Sequence, residues 1–285
     1  MIGSSTADHD RFFHFEEMTP SIDTPESLWQ RLKLEAERLM AREELLKPLV
    51  RAHVLDRTNF AEALASVLSS RLCEHAMPAV NLHRLFEPIL AMPEIALAAG
   101  KDLAAVVERD PAAQALAILP FLHFKGFQSL QAHRISHHLW TNGRPDLAFY
   151  LQGRVALVYG VDFHPAARIG SGIMIDHATG VVVGETAVIG DDVSMLHGVT
   201  LGGTGKQTGD RHPKVGNGVL LGSGAKILGN VRIGDGSKVG AGSVVLSDVP
   251  PHCTVVGVPA RVVGRPRTSE PGLAMDQEIE DDSQV

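Results

Sequence analysis

The spacing of apolar residues changes once along the chain, near residue 160. Before that point, "PESLWQRLKLEAERLMAREELLKPLV" sets Leu28, Leu32, Leu39, Leu45 and Leu46 at roughly helical intervals. Thr24 precedes it as a candidate N-cap, and Pro25 takes the first helical position. "NFAEALASVLSSRL" and "FQSLQAHRISHHLW" continue the helical pattern between Pro or Gly breaks. The pattern predicts an N-terminal extension over 1–21 and an all-helical domain over 22–158.

From Val161 onward the step becomes six. Phe163, Ile169, Ile175, Val181, Ala187, Val193 and Val199 form one unbroken series, and Val215, Leu221, Ile227, Ile233, Val239 and Val245 form a second. Sixteen residues separate the series, which reads as one repeat plus a ten-residue insertion. Gly170, Gly216, Gly222, Gly234 and Gly240 directly follow an aliphatic position, as tight turns require. Such a repeat is the signature of a β-solenoid, in which each unit supplies a very short strand and a turn. The solenoid is expected over 159–264 and a C-terminal tail over 265–285. The segment "GGTGKQTGDRHPK", residues 202–214, is expected to project as a loop, and long loops in compact domains are often functional.

Charge changes the picture only at the end of the chain. The formal net charge is −7, but Thr268 to Val285 holds six carboxylates without Lys or Arg. The rest carries only −1, with no basic stripe of the kind nucleic acid requires. The acidic tail is expected to be unstructured. Two distant cysteines, Cys73 and Cys253, make no disulfide framework and fit a reducing compartment. The sequence shows no signal peptide and no long apolar run, so the expectation is a cytoplasmic protein without a membrane span.

Within the repeat, "IMIDHATG" carries an ionisable pair, Asp176 and His177. Together with "VDFHPAARIGSGI", "SMLHGVTLGGTGK", "GDRHPKVG", "AGSVVLSDVPPHCTVVGVPARVVG" and, upstream, "ERDPAAQA" and "FKGFQSLQAHRI", it resembles the serine acetyltransferases. The resemblance runs from about 22 to 266. It implies a left-handed parallel β-helix with three hexapeptides, 18 residues, per triangular coil. The implied reaction is acetyl transfer from acetyl-CoA, a co-substrate, to the hydroxyl of L-serine, with no permanently bound cofactor and no metal. That chemistry needs a base to take the hydroxyl proton, and His177 is the candidate, with Asp162 to orient it from an adjacent coil. The resemblance matches Asp110 and Asp176 to amine and hydroxyl contacts, and Arg211 and His212 to the carboxylate side. It matches Gly203, Thr204, Ser223, Lys238 and Ala241 to CoA, although Ala is usual where Ser223 stands.

The same resemblance implies trimers with sites between protomers, joined in pairs into hexamers through the helical domain. It also implies feedback inhibition by L-cysteine and docking of the C-terminus on cysteine synthase, which the terminal Val285 in place of Ile would weaken. His197 departs from the usual Gln and, 20 residues after His177, is expected near it. His164 and Glu185 are read as structural, and His133, His137 and His138 as surface or packing residues. Other readings are a zinc carbonic anhydrase, transfer to a sugar or homoserine, and a binding scaffold. The first needs an H-x4-H pair on the solenoid, and none occurs there; His133 to His138 lies in the helical half.

Overall fold

A computed structural model describes residues 24–205 and 208–279. The expectations for 1–21 and Val285 lie outside the described residues. Eight helices come first: α1 (Pro25–Arg42), α2 (Lys47–Val50), α3 (Phe60–Leu72), α4 (Ala79–Leu90), α5 (Pro93–Arg109), α6 (Ile118–His123), α7 (Lys125–Thr141) and α8 (Pro145–Tyr159). Thr24 does cap α1, its hydroxyl accepting the Ser27 N–H at 3.1 Å. The helical run is shorter than the leucine spacing suggests. α1 stops at Arg42, and Leu45 is left 87% exposed in the connection. None of the described helices is long and apolar enough to cross a membrane.

The chain then winds into a parallel β-helix with three sheets. The first stacks β1 (Asp162–Phe163), β4 (Val182–Val183), β7 (Thr200–Gly202), β10 (Lys226–Leu228) and β13 (Val244–Val245). The second stacks β2 (Arg168–Ile169), β5 (Val188–Ile189), β8 (Lys214–Val215) and β11 (Arg232–Ile233). The third holds β3 (Met174–Ile175), β6 (Ser194–Met195), β9 (Leu220–Leu221), β12 (Lys238–Val239) and β14 (Thr254–Gly257), ended by antiparallel β15 (Ala260–Gly264).

The register corrects the expected frame. Asp162 pairs with Val182, Val182 with Thr200, Thr200 with Lys226 and Lys226 with Val244. Only the second and fourth of these steps are a plain 18 residues. The first is two residues longer and the third eight longer, so the ten extra residues are divided between two places. The first addition falls between Ile175 and Val183, inside "DHATG". Sequence periodicity hides it because each coil buries two rows of side chains. The strand row is Phe163, Ile175, Val183, Met195 and Leu201, and the row two residues earlier is Val161, Ile173, Val181, Val193 and Val199. An insertion of two moves the six-residue series from one buried row to the other without a visible break.

The helical domain docks through a buried carboxylate. Asp102 of α5 is fully buried and accepts from Arg134 Nη2 at 2.6 Å, Gln131 Nε2 at 2.9 Å and the Ile173 N–H at 3.0 Å. Arg134 also donates to the Gly170 carbonyl at 2.6 Å, tying α7 to the first coil. At Gly126 in α7 the backbone lies directly on the Ile175 carbonyl, where no Cβ fits. These contacts fix α5 and α7 against the coil end that carries Asp176 and His177.

The tail departs from the expected unstructured segment over 265–279. A short helix, α9 (Pro271–Ala274), seats Gly272 on the coil, its N–H donating to the Gly218 carbonyl at 2.9 Å. The Gly272 carbonyl in turn accepts from Ser194 Oγ at 2.6 Å. The six carboxylates are partly neutralised there, since Arg267 pairs with Glu278 at 2.6 Å. Residues 280–285 lie outside the described residues.

Candidate active site

The two-residue addition makes a strained turn. His177 and Ala178 both adopt left-handed backbone, φ 56° each, a conformation costing roughly 1–2 kcal/mol for a residue with a Cβ. Consecutive three-residue turns close the bend, Ala178 N–H to Asp176 O at 2.6 Å and Thr179 N–H to His177 O at 2.7 Å. The Gly180 N–H reaches the Gly160 carbonyl at 2.7 Å, holding the bend over the α8–β1 junction, and Lys125 of α7 donates to the Thr179 hydroxyl. The result is that the His177 side chain stands 74% exposed, with Nε2 at 3.6 Å from Asp176 Oδ1. Strain of this kind collects at functional sites.

Asp162 lies one coil below, exposed at the start of β1. Its carboxylate accepts from Gln152 Nε2 at 2.6 Å, and among the described residues it makes no hydrogen bond to His177. The 15-residue separation is five residues short of the coil found here, so the register sets Asp162 opposite Val182 and not opposite His177.

A second cluster forms at the other end of β4. The Thr186 hydroxyl oxygen accepts the N–H groups of Arg211 and His212, both at 3.0 Å. Its own N–H donates to His212 Nδ1 at 3.2 Å, and its Oγ1 lies 2.9 Å from the same nitrogen. This network selects the tautomer with the proton on Nε2. Burial, aided by the Arg211 charge, lowers the His212 pKa and favours that neutral ring. Gly184 leaves the space the imidazole fills, since a Cβ there would overlap the ring. Arg211 Nη2 pairs with Glu185 at 2.5 Å, and this bond holds the Glu185 carboxyl below its usual range. His164 packs edge-on to Trp140 and Phe149 at 5.4 and 5.6 Å, near Glu185 and Arg211, and burial lowers its pKa.

Of the remaining predicted residues, only Gly203 adjoins one of these clusters. Asp110 ends α5 and accepts the Ala112 N–H at 2.8 Å. Gly203 and Thr204 follow β7 at the loop base, with Gly203 beside Arg211 and His212. Ser223 and Ala241 occupy equivalent corners of successive coils. Lys238 is 3% exposed and donates to the Glu278 carbonyl, so the tail covers it. No hydrogen bond or ion pair joins the His177 corner to the Arg211–His212 corner among the described residues, because β4 lies between them. Sequence reasoning did not find Thr186 or Gln152, which have no motif of their own. No group of three His, Cys, Asp or Glu placed to hold a metal occurs among the described residues.

An exposed imidazole on a strained turn, with carboxylates beside it and a neutral histidine and arginine held across the same sheet, is equipped for proton transfer on a small zwitterion. The family description "Serine acetyltransferase, N-terminal" matches residues 28–132, and "Bacterial transferase hexapeptide (six repeats)" matches 212–247. The serine acetyltransferase of Salmonella typhimurium is 51% identical over 253 residues, covering 88% of this chain and 92% of that protein. The chain belongs to the serine acetyltransferase family. Among solved structures, soybean serine acetyltransferase complexed with serine is 50% identical with a TM-score of 0.82, covering 86% of this chain and all of that one, 100%. The Brucella abortus enzyme in complex with coenzyme A is 48% identical with a TM-score of 0.82, covering 84% of this chain and 95% of that one. The enzyme is therefore an acyltransferase built on hexapeptide repeats.

Proposed function

We propose that the enzyme moves the acetyl group of acetyl-CoA directly onto the hydroxyl of L-serine, giving O-acetyl-L-serine and CoA, with His177 as general base. The observation that carries this reading is the left-handed turn that presents the His177 ring to solvent. The serine proton passes to the imidazole as the oxygen attacks the thioester carbon, a contribution of about 10²- to 10⁴-fold. Both substrates meet in one site, so no acyl-enzyme is needed. Asp162 orients the ring after releasing Gln152. Asp176 and Asp110 receive the ammonium and hydroxyl side of serine. Arg211 and the Nε2–H of His212 receive its carboxylate, a planar fork and a fixed donor suited to that group.

The separation of the two clusters by β4 supports a site completed by a second protomer, hence a trimer, with the helical domains pairing trimers into a hexamer. Acetyl-CoA runs past Gly203 and Thr204 and along Ser223 and Ala241, with Lys238 freed when the tail lifts. L-Cysteine, which matches serine except for the hydroxyl, competes at the same pocket. Docking of the chain end on cysteine synthase is weakened by Val285, one methylene short of Ile, a loss of ~0.8 kcal/mol. The two free thiols, Cys73 and Cys253, suit the cytoplasm.

The test is CoA release from acetyl-CoA with L-serine and then with homoserine, in wild type and His177→Ala. Serine-dependent turnover that falls at least ~10²-fold in the variant is expected. Full activity in His177→Ala would overturn the base assignment, and turnover with homoserine alone would overturn the acceptor. Sedimentation showing a stable trimer would remove the hexamer.

A further inference from the structure

The two-residue addition has a consequence for the next coil. β3 pairs with β6 as Met174 to Ser194 and Ile175 to Met195, so the same register sets His177 opposite His197. Beyond the two rings the Gly198 N–H donates to the Thr179 carbonyl at 2.8 Å, where the chain has already moved to the 18-residue register of β4 and β7. The rings meet edge to face with centroids 5.9 Å apart. β6 and β9 then pair Met195 with Leu221, which carries His197 to Ser223, and β9 and β12 carry Ser223 to Ala241. His177, His197, Ser223 and Ala241 thus form one column up a single corner of the prism. Asp176, Lys125 on Thr179 and Lys226 on Gly198 are the charged groups around the two rings. His197 is exposed, and its ring makes no hydrogen bond among the described residues.

We propose that His197 is a catalytic residue that donates a hydrogen bond to the thioester sulfur as CoA departs. This rests on the reading that His177 is the base and that CoA follows the Ser223–Ala241 corner. The attacking oxygen must lie ~2.6–3.2 Å from the base nitrogen, and the carbonyl carbon ~3–3.5 Å further. The sulfur is one bond beyond that carbon. Hydrogen-bonded coils are spaced by ~4.7–4.9 Å. The path from base to sulfur bends at the attacking oxygen and again at the carbonyl carbon, so its span is much shorter than the sum of its parts, and a thioester turned from His177 toward Ser223 brings its sulfur near the next imidazole in the column. The serine proton goes to His177, the O–C bond forms, and the C–S bond breaks with its electron pair on sulfur. The N–H of His197 bonds to that sulfur while its charge develops, and the proton held by His177 completes the CoA thiol. The base thus serves the acceptor, and the second imidazole serves the leaving group.

The test compares wild type, His197→Ala and His197→Gln by steady-state kinetics with L-serine and acetyl-CoA, with thermal melting to confirm the fold. Removing one donor to a developing charge costs up to ~10²–10³-fold, and the solvent exposure of this imidazole places the expected loss of kcat in His197→Ala at ~10- to 10²-fold. The KM for serine and the acidic limb of kcat/KM for serine should stay unchanged. His197→Gln, which keeps an N–H donor, should recover most of the loss. Activity of His197→Ala within twofold of wild type would overturn the proposal. So would a shifted acidic limb with no rescue by Gln, which would mean that His197 acts through His177. A wild type lacking serine-dependent CoA release would overturn the acceptor reading and this proposal with it, whereas an active wild type beside an active His197→Ala overturns this proposal alone.

Discussion

The Thr186 hydroxyl oxygen accepts two backbone N–H groups, those of Arg211 and His212, each at 3.0 Å. One small side chain therefore fixes the returning end of the long loop against the turn after β4. Thr186→Val keeps the shape and removes the acceptor. Leaving these donors short of a partner costs about 1–3 kcal/mol. The expected outcome is a lower Tm and a KM for serine raised at least ~5-fold, checked by calorimetry and initial rates.

Gly184 is required by the His212 ring rather than by its own backbone. A Cβ at this position would overlap three atoms of the imidazole. Gly184→Ala should push the ring aside, lowering kcat/KM for serine by at least ~10-fold, the scale of a small misplacement in a catalytic site. The KM for acetyl-CoA should change little. Equal losses for both substrates would show general collapse of the loop instead.

Asp102 joins the two halves of the molecule from a fully buried position. Asp102→Ala leaves Arg134, whose side chain is 10% exposed, without its carboxylate. Breaking a buried pair from one side costs about 3–5 kcal/mol. Chemical denaturation should report that loss, with Asp102→Asn less affected because its amide oxygen still accepts a hydrogen bond.

Acid should weaken the fold through His133. Burial, assisted by the neighbouring His137 and Arg134, pushes its pKa down to about 3 from the usual 6.5. Between those two values the unfolded chain binds a proton that the folded chain refuses, so stability falls as pH drops from about 6.5 toward 3. Each pH unit costs at most ~1.4 kcal/mol from this group. His133→Gln should flatten the decline of Tm below pH 6 by up to one proton's worth. An unchanged slope would mean that another group governs acid unfolding; His53, His123, His164 and His212 also have lowered pKa values, with burial the largest cause in each.

Much of this was legible in the residues. The six-residue spacing from Val215 to Val245 names buried strand positions without exception, because a turn every six residues leaves one inward direction per unit. The Thr24–Pro25 start of α1 was equally plain, since capping depends on adjacent residues alone. His177 stood out because an ionisable pair has no place in apolar filler. Each of these is local information.

Other features needed the tertiary structure. Val181, Ala187, Val193 and Val199 continue the six-residue series yet occupy the other buried row, because two extra residues at His177 and Ala178 shift the frame. Periodicity cannot reveal that shift when both rows are apolar. Cross-coil register decided that His177 faces His197, and that Asp162 binds Gln152 instead of lying directly under the base. Thr186 acquired its role only when the returning end of the loop, Arg211 and His212, closed on it. Local chemistry fixes which residues turn, cap or point inward. Which distant residues meet depends on the accumulated offset of every coil, and only the folded chain adds those offsets up.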